Sequence, residues 1–137
     1  MPDPVVGILV GSESDVERMK GATDELDTRG IVWELEVRSA HRTPDAVADY
    51  ARTAAGRGIK VLICGAGLAA ALPGVVAAHS ELPVIGVPLR SSLSMLDGLD
   101  ALLSIVQMPP GVPVATVGVD NAKNAAVLAA RILALLA

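Results

Sequence analysis

A strand, a turn and a helix meet at Ser39-Ala40-His41-Arg42-Thr43-Pro44-Asp45. An extended run ends just before this stretch at Val37, and an alanine-rich helical pattern covers residues 44–56. We therefore expect the stretch to lie at the carboxyl end of a strand, where open α/β sheets bind their ligands. Thr43 is predicted to cap the helix, with Pro44 at its first position.

Two neighbouring side chains of this turn could bind an anion and exchange a proton. Arg42 carries a planar group that can bind a phosphate or a carboxylate, and His41 can exchange a proton near neutral pH. The alternative is a surface turn whose histidine and arginine are merely hydrated. The heptapeptide by itself does not decide between these interpretations.

The rest of the chain repeats the same alternation of strand and helix. Apolar runs predict five strands, at residues 5–10, 31–37, 60–66, 83–88 and 114–119. Helical patterns predict helices at residues 16–28, 44–56, 75–79, 101–106 and 121–136, the last with an apolar face that includes Leu135 and Leu136. Right-handed crossovers between such strands predict an α/β three-layer fold with a five-stranded parallel sheet, in one domain over residues 1–137.

Two other strand ends lead into turns that could form part of a site. The first strand ends at Gly11-Ser12-Glu13-Ser14-Asp15, where backbone amides at a helix start favour an anion. The alternative is that these polar side chains only cap the helix. The third strand runs into a glycine-rich turn up to Gly74, which offers backbone amides or is simply a tightly packed connection. His79, at a helix end, is interpreted as structural.

The composition narrows the classes of partner. The 137 residues carry a net charge of −4 and no basic cluster, so we do not expect nucleic acid as a partner. Apolar residues make up 52% of the chain and include no phenylalanine, which predicts a core of small aliphatic side chains. The mean hydropathy of +0.53 indicates apolar surface left over after folding, and we therefore expect a homo-oligomer.

The sequence also predicts the cellular location of the protein. The apolar tract from Asn124 onward is too short to cross a bilayer, so we expect no membrane association. Residues 1–4 lack the basic region of a signal peptide. The single cysteine, Cys64, cannot form an internal disulfide and is predicted to be a small buried residue. These features favour a cytoplasmic location.

Five stretches taken together closely resemble one known family. They are Gly11-Ser12-Glu13-Ser14-Asp15, Ser39-Ala40-His41-Arg42-Thr43-Pro44-Asp45, Leu72-Pro73-Gly74, residues 82–88 and residues 103–109. In this order they resemble the phosphoribosylaminoimidazole carboxylase/mutase family of purine biosynthesis. The resemblance implies a flavodoxin-like three-layer sandwich, assembly as a homo-octamer, and a reaction that needs no metal and no organic cofactor.

The resemblance also implies roles for individual residues. It assigns phosphate binding to Ser12, Ser39 and Arg42, ribose binding to Asp15, and proton transfer to His41. The other substrate-binding residues are expected to be Ala40, Gly67, Leu68 and Leu72, and the turn from Gly65 to Leu72 would hold a carboxylate with backbone amides. The substrate is therefore expected to be a nucleotide.

The implied enzyme is a carboxyaminoimidazole ribonucleotide mutase. It would move a carboxylate from the exocyclic nitrogen to the ring carbon and give 4-carboxy-5-aminoimidazole ribonucleotide. The catalytic stretch and residues 107–113 follow the mutase branch of the family, which favours this activity.

Three departures from the bacterial mutases keep alternatives open. Ala71 stands where those mutases have histidine, Leu68 stands where glycine is usual, and the turn at residues 118–124 looks shorter. These features follow the carboxylase branch, so a phosphoribosylaminoimidazole carboxylase that uses carbon dioxide directly is one alternative. A nucleotide-binding module without catalytic activity is the other.

Overall fold

Five strands form the sheet in the computed structural model, which describes residues 2–136. They are β1 (Val6–Val10), β2 (Trp33–Val37), β3 (Val61–Ala66), β4 (Val84–Pro88) and β5 (Ala115–Thr116). All neighbouring strands are parallel, in the order β2-β1-β3-β4-β5. The predicted α/β fold with a five-stranded parallel sheet is confirmed, while Met1 and Ala137 of the predicted domain lie outside the described residues.

Helices cover both faces of the sheet and complete three layers. They are α1 (Lys20–Thr28), α2 (Pro44–Ala54), α3 (Leu72–Ala78), α4 (Leu99–Val106) and α5 (Ala122–Ala134). Helices α1 and α5 pack on one face, where alanines of α5 meet the side chains of Val6, Ile8 and Ile63. Helices α2, α3 and α4 pack on the other face, against Leu9, Leu62 and Cys64.

The central strands are apolar on both sides because both of their faces are covered. All residues of β1, β3 and β4 are buried, as is usual for parallel strands between helix layers. Glycine at position 86 lets α4 come close, because a Cβ there would lie 2.5 Å from Cγ2 of Ile105. The predicted core of small aliphatic residues is confirmed, and Cys64 is buried as predicted. Burial raises the pKa of the Cys64 thiol, which keeps it protonated at neutral pH.

The edge strand β2 is only half buried, as its alternating acidic residues predicted. Glu34 of this strand accepts a hydrogen bond of 2.8 Å from the Tyr50 hydroxyl of α2. Arg57 donates two more to the same carboxylate, at 2.9 and 3.0 Å. This polar cluster fastens the edge of the sheet to the helix that follows the turn at residues 39–43.

The segment after β1 differs from the predicted helix over residues 16–28. Two short 3-10 turns, Glu13–Asp15 and Glu17–Met19, come first, and the α-helix begins only at Lys20. The amide of Asp15 donates to the carbonyl of Ser12 at 3.0 Å, so hydrogen bonds between residues three apart replace the α-helical pattern.

The last third of the chain differs from the prediction in two boundaries. Strand β5 has two residues instead of the predicted six. The amides of Val117 and Asp120 still donate to carbonyls of β4, at 3.1 and 2.8 Å, but the regular pairing ends at Thr116 and residues 119–120 form a turn. Helix α5 ends at Ala134, so Leu135 and Leu136 of the predicted apolar face follow it and are 84% and 64% exposed, while Ala125 and Ala129 of that face are buried as part of the core. In residues 2–136 every helix is too short or too polar to cross a bilayer.

Candidate active site

A cavity of about 440 Å³ opens at the carboxyl edge of the sheet. The sheet order places β1 beside both β2 and β3, so the connections from β1 and β3 leave towards opposite sides. This switch point is where parallel α/β sheets usually bind ligands. The turns that follow β1, β2, β3 and β4 all contribute to the cavity wall.

The predicted site residues lie together around this cavity. The lining includes every residue that the sequence singled out for catalysis or substrate binding: Ser12, Asp15, Ser39, Ala40, His41, Arg42, Gly67, Leu68 and Leu72. They come from three separate strand ends that are distant in the sequence. The fold therefore brings hydroxyl, carboxylate, imidazole and guanidinium groups to one cavity, beside the turn after β3.

The turn at residues 39–43 is held by hydrogen bonds within itself. The Thr43 hydroxyl accepts from the amide of Ser39 at 2.9 Å and donates to the Ser39 carbonyl at 3.1 Å. The Ser39 hydroxyl accepts from the amide of Arg42 at 3.1 Å. Thr43 is the N-cap residue of α2 and Pro44 lies in its first turn, as predicted. The Thr43 hydroxyl closes the preceding turn, however, and makes no cap hydrogen bond to α2.

This closed turn presents His41 and Arg42 to solvent at the cavity wall. Both residues are exposed. Within residues 2–136, no carboxylate lies within 4.0 Å of the Arg42 guanidinium, whereas Arg57 and Arg90 each have acidic partners. Arg42 can therefore offer its full set of donors to a bound phosphate or carboxylate.

The turn after β1 supplies the second polar wall. The hydroxyls of Ser12 and Ser14 lie 2.7 Å apart and hydrogen-bond to each other, so the alternative that they cap the next helix is wrong. Asp15 lines the same part of the cavity. Burial raises the pKa of the Asp15 carboxyl, although the nearby Arg18 and the hydroxyl of Ser12 lower it. An acid held in this way can accept hydrogen bonds from sugar hydroxyls.

The third wall is the turn after β3, which is almost free of polar side chains. Residues 66–72 all line the cavity, and between Gly67 and Leu72 they are one leucine and three alanines. The backbone bends at Leu68, whose φ is +55°. Ala71 contributes only a methyl group to this wall. The turn can therefore offer backbone groups and apolar contact, and little charge.

The sequence predictions missed two contributors from the chain after β4. Ser91 and Leu93 line the same cavity, and the Ser91 hydroxyl accepts a hydrogen bond from the Leu93 amide at 3.0 Å. Arg18 joins this segment to the Asp15 side by donating to the carbonyl of Arg90. The sequence could have indicated Ser91, because it follows the buried strand β4. A polar residue in that position reaches the same edge of a parallel sheet as the residues that follow the other strands.

A larger cavity, of about 870 Å³, lies at the opposite end of the sheet. It opens near the start of β4 and is lined mainly by apolar groups, with Arg52, His79, Ser80 and Glu81 among them. His79 ends α3, as the sequence predicted. In the part of the chain from residue 2 to 136, no three histidine, cysteine, aspartate or glutamate side chains gather as a metal site would require.

Comparisons with known proteins agree with this architecture. A phosphoribosylaminoimidazole carboxylase of Schizosaccharomyces pombe is 60% identical over 131 residues, which are 96% of this chain and 23% of that protein. An N5-carboxyaminoimidazole ribonucleotide mutase of Pyrococcus abyssi is 59% identical over 132 residues, which are 96% of this chain and 75% of that protein. The chain thus spans about a quarter of the first relative and three quarters of the second.

The fold has close counterparts among solved structures. The crystal structure of Treponema denticola PurE matches with a TM-score of 0.84 and 36% sequence identity, over 96% of this chain and 81% of that one. The family model described as AIR carboxylase matches residues 5–137. This match includes the turns after β1, β2, β3 and β4 that line the smaller cavity. The chain belongs to the AIR carboxylase family.

Proposed function

We propose that this chain is a carboxyaminoimidazole ribonucleotide mutase of purine biosynthesis. It moves the carboxylate of the substrate from the exocyclic nitrogen to the ring carbon. The observation that carries this proposal is the single cavity in which Ser12, Asp15, Ser39, His41 and Arg42 meet. The relatives named as a phosphoribosylaminoimidazole carboxylase and an N5-carboxyaminoimidazole ribonucleotide mutase support it.

The proposal assigns one end of the cavity to the nucleotide's sugar and phosphate. Arg42, with the hydroxyls of Ser12 and Ser39, binds the phosphate, since these groups supply charged and neutral donors at neighbouring turns. Asp15 accepts hydrogen bonds from the ribose hydroxyls. The reacting ring then extends towards His41 and the turn after β3.

The chemistry needs a group that can give and take a proton. When the bond between the exocyclic nitrogen and the carboxylate carbon breaks, carbon dioxide forms and the nitrogen gains a proton. The ring carbon then attacks carbon dioxide, and the tetrahedral carbon loses a proton so that aromaticity returns. His41 can supply the first proton and accept the second, which leaves no net change in protons.

The turn over residues 65–72 holds the carboxylate in this scheme. Its small side chains leave backbone amides accessible to an anionic oxygen, and holding carbon dioxide beside the ring carbon replaces a bimolecular encounter. This arrangement requires a closed site, because carbon dioxide would otherwise escape into solvent.

The direct carboxylase is the second candidate, and one observation favours it. Ala71 contributes only a methyl group to its side of the cavity, where the bacterial mutases have a histidine. A wall without charge and with spare volume can admit free carbon dioxide more readily than one that carries an imidazole. The carboxylase would use the same phosphate site and the same proton transfer by His41.

Initial rates separate the two activities. The carbamate should react much faster than aminoimidazole ribonucleotide under saturating carbon dioxide if the chain is a mutase. An inert carbamate together with turnover on carbon dioxide would reverse the ranking. No turnover on either substrate, with nucleotide binding intact, would favour the binding module without catalysis.

We also propose that the enzyme is a cytoplasmic homo-octamer. Large apolar side chains are exposed on residues 93–106, and they are Leu93, Met95, Leu96, Leu99, Leu103 and Val106. Monomers rarely expose so much apolar surface on one segment, which supports contacts with further copies of the chain. The single buried cysteine is compatible with the cytoplasm.

A further inference from the structure

Leu68 has a backbone conformation that leucine rarely adopts. Its φ of +55° lies in the left-handed region, where glycine, asparagine and aspartate are the usual residues. The two other non-glycine residues with positive φ in residues 2–136 are both aspartates, Asp97 and Asp120. Such backbone strain often marks a functional position, where an interaction of the residue offsets its energetic cost.

The Leu68 residue is also unusually exposed for its position. It is 41% exposed and lines the candidate active site, in a turn where its neighbours are glycine and alanine. Leu72, four residues later, is only 3% exposed. Leu68 is therefore the large apolar residue of this turn that remains accessible to a ligand.

The cavity has neither a tryptophan nor a tyrosine that could cover a flat ring, and the aromatic ring at its wall is the imidazole of His41, which the proposed function assigns to proton transfer. Trp33 donates a hydrogen bond to Asp27, and Tyr50 donates one to Glu34, and neither aromatic residue lines the cavity. The other large apolar residue exposed at the cavity is Leu93, on the segment after β4. With His41 assigned to proton transfer and Arg42 to the phosphate, contact with the face of a heterocycle is left to aliphatic groups.

We propose that Leu68 is a specificity-determining residue that packs against the face of the substrate's heterocycle, and that its left-handed turn positions it there. This inference rests on the proposed function, because it takes the ligand to be an aminoimidazole nucleotide. Leu68 contributes to binding the ring, while the phosphate and ribose are held by the polar turns.

The expected effect is moderate and confined to one part of the ligand. Covering the exposed part of one leucine side chain corresponds to about a three- to eightfold change in Kd. Ribose 5-phosphate has the sugar and phosphate but no ring. A change at Leu68 should therefore weaken binding of aminoimidazole ribonucleotide and leave binding of ribose 5-phosphate unchanged.

Calorimetry with these two ligands tests the inference. In Leu68→Gly, aminoimidazole ribonucleotide should bind about three- to eightfold more weakly and ribose 5-phosphate as in the parent chain. The variant should fold, because glycine accepts the left-handed conformation. Leu68→Met, which keeps most of the apolar volume, should recover most of the lost affinity.

Asp97→Gly is the matched control. It places glycine at another left-handed position, but the Asp97 side chain is 85% exposed and lies outside the cavity. Both ligands should bind it as they bind the parent chain.

Two results would overturn the inference while the proposed function stands. One is equal binding of aminoimidazole ribonucleotide by Leu68→Gly and the parent chain. The other is equal weakening of both ligands in Leu68→Gly, which would mean that leucine only stiffens the turn. If the parent chain binds neither ligand, the proposed function itself fails, and this inference fails with it.

Discussion

Ser39, His41 and Arg42 owe their placement to a turn that hydrogen-bonds within itself. The Ser39 hydroxyl accepts from the Arg42 amide, and the Thr43 hydroxyl bonds to both backbone groups of Ser39. The turn therefore does not need a ligand to define its shape. Its two reactive side chains can project into solvent at the cavity wall, where a substrate can reach them.

Substitutions at Arg42 and His41 should separate binding from chemistry. Arg42→Ala should weaken nucleotide binding by about 1.5–3 kcal/mol, because a charge-assisted phosphate contact is lost. His41→Asn should bind nucleotide normally and lower kcat by roughly a hundred- to ten-thousandfold, because proton transfer is lost. Calorimetry and steady-state rates measure the two effects.

Arg52→Ala is the control for charge, since Arg52 is an exposed arginine on α2 that lies outside the site cavity. It should change neither quantity. Near-normal turnover by His41→Asn would refute the role assigned to this histidine.

The ionised Asp15 carboxylate should lower the stability of the fold while it contributes to nucleotide binding. Burial raises the pKa of its carboxyl above the ordinary 3.8, so the folded chain holds this proton more tightly than the unfolded chain does. Stability from this group is fully present below pH 3.8 and is lost as the pH rises through the raised pKa. Asp15→Asn should therefore raise Tm at pH 7 and lose this advantage in acid, while it weakens nucleotide binding.

Thermal unfolding across pH checks the stability half of this prediction, and calorimetry checks the binding half. Asp3→Asn, at an exposed position, should leave Tm nearly unchanged. A lower Tm for Asp15→Asn at pH 7 would contradict the account of this carboxylate.

The residues of the site could be found from the sequence because each follows a recognisable strand. Ser12, Ser39 and Gly67 lie within two residues of the ends of predicted strands, and parallel strands bring such positions to one edge. Their hydrogen bonds could not be found in this way. Thr43 is the N-cap residue of α2, but whether its hydroxyl bonds to the helix or back to Ser39 depends on the rotamer and the turn geometry, which sequence patterns do not encode.

Among the secondary-structure elements, the edge strand β2 is linked by Glu34 to α2, the helix that follows the turn at residues 39–43. Hydrogen bonds from Arg57 lower the pKa of Glu34 below its ordinary 4.5, more than burial raises it. The stability that this carboxylate contributes is therefore present above pH 4.5 and is lost as the pH falls through the lowered pKa.

Glu34→Gln should destabilise the fold by about 1 kcal/mol at neutral pH, because a charged partner of Arg57 is lost. Urea unfolding at neutral and acidic pH measures the loss, which should shrink in acid. Glu36→Gln is the matched control, since Glu36 lies two residues along β2 and is 3.9 Å from Arg38. A loss at Glu34 that is equally large in acid would show that the charge of the carboxylate is not its cause.

The type of each element was predicted correctly where the apolar pattern was long. The predicted ends of elements were wrong where turns interrupt the regular backbone. Strands β1, β3 and β4 begin within one residue of their predicted starts, because a run buried on both faces has few other interpretations. Strand β5 was predicted too long because Val117 and Val119 look like strand residues, although regular pairing with β4 ends at Thr116 and residues 119–120 form a turn. The same limit applies to α1, where short 3-10 turns precede the helix.

At the scale of the whole molecule, the exposed apolar residues of segment 93–106 predict assembly. Met95 is 92% exposed and Leu93 is 75% exposed, which is unfavourable for an isolated chain. Light scattering after gel filtration should give a mass eight times the 14.0 kDa of one chain. Met95→Glu should shift the population towards smaller species.

Leu135→Glu tests whether the shift is specific, because this leucine is 84% exposed, follows the end of α5 and is not part of segment 93–106. It should have the smaller effect. A stable monomer at micromolar concentration would contradict the proposed assembly.

The proposed mutase transfers the substrate's own carboxylate within the cavity at the carboxyl edge of the sheet. This transfer can be followed with carbamate that is labelled with carbon-13 in its carboxylate and reacted with the enzyme in unlabelled bicarbonate buffer. We expect the label on the ring carbon of the product, because carbon dioxide stays in the site between the two steps. A product that carries only unlabelled carboxylate would contradict it, since the carbon would then have come from solution.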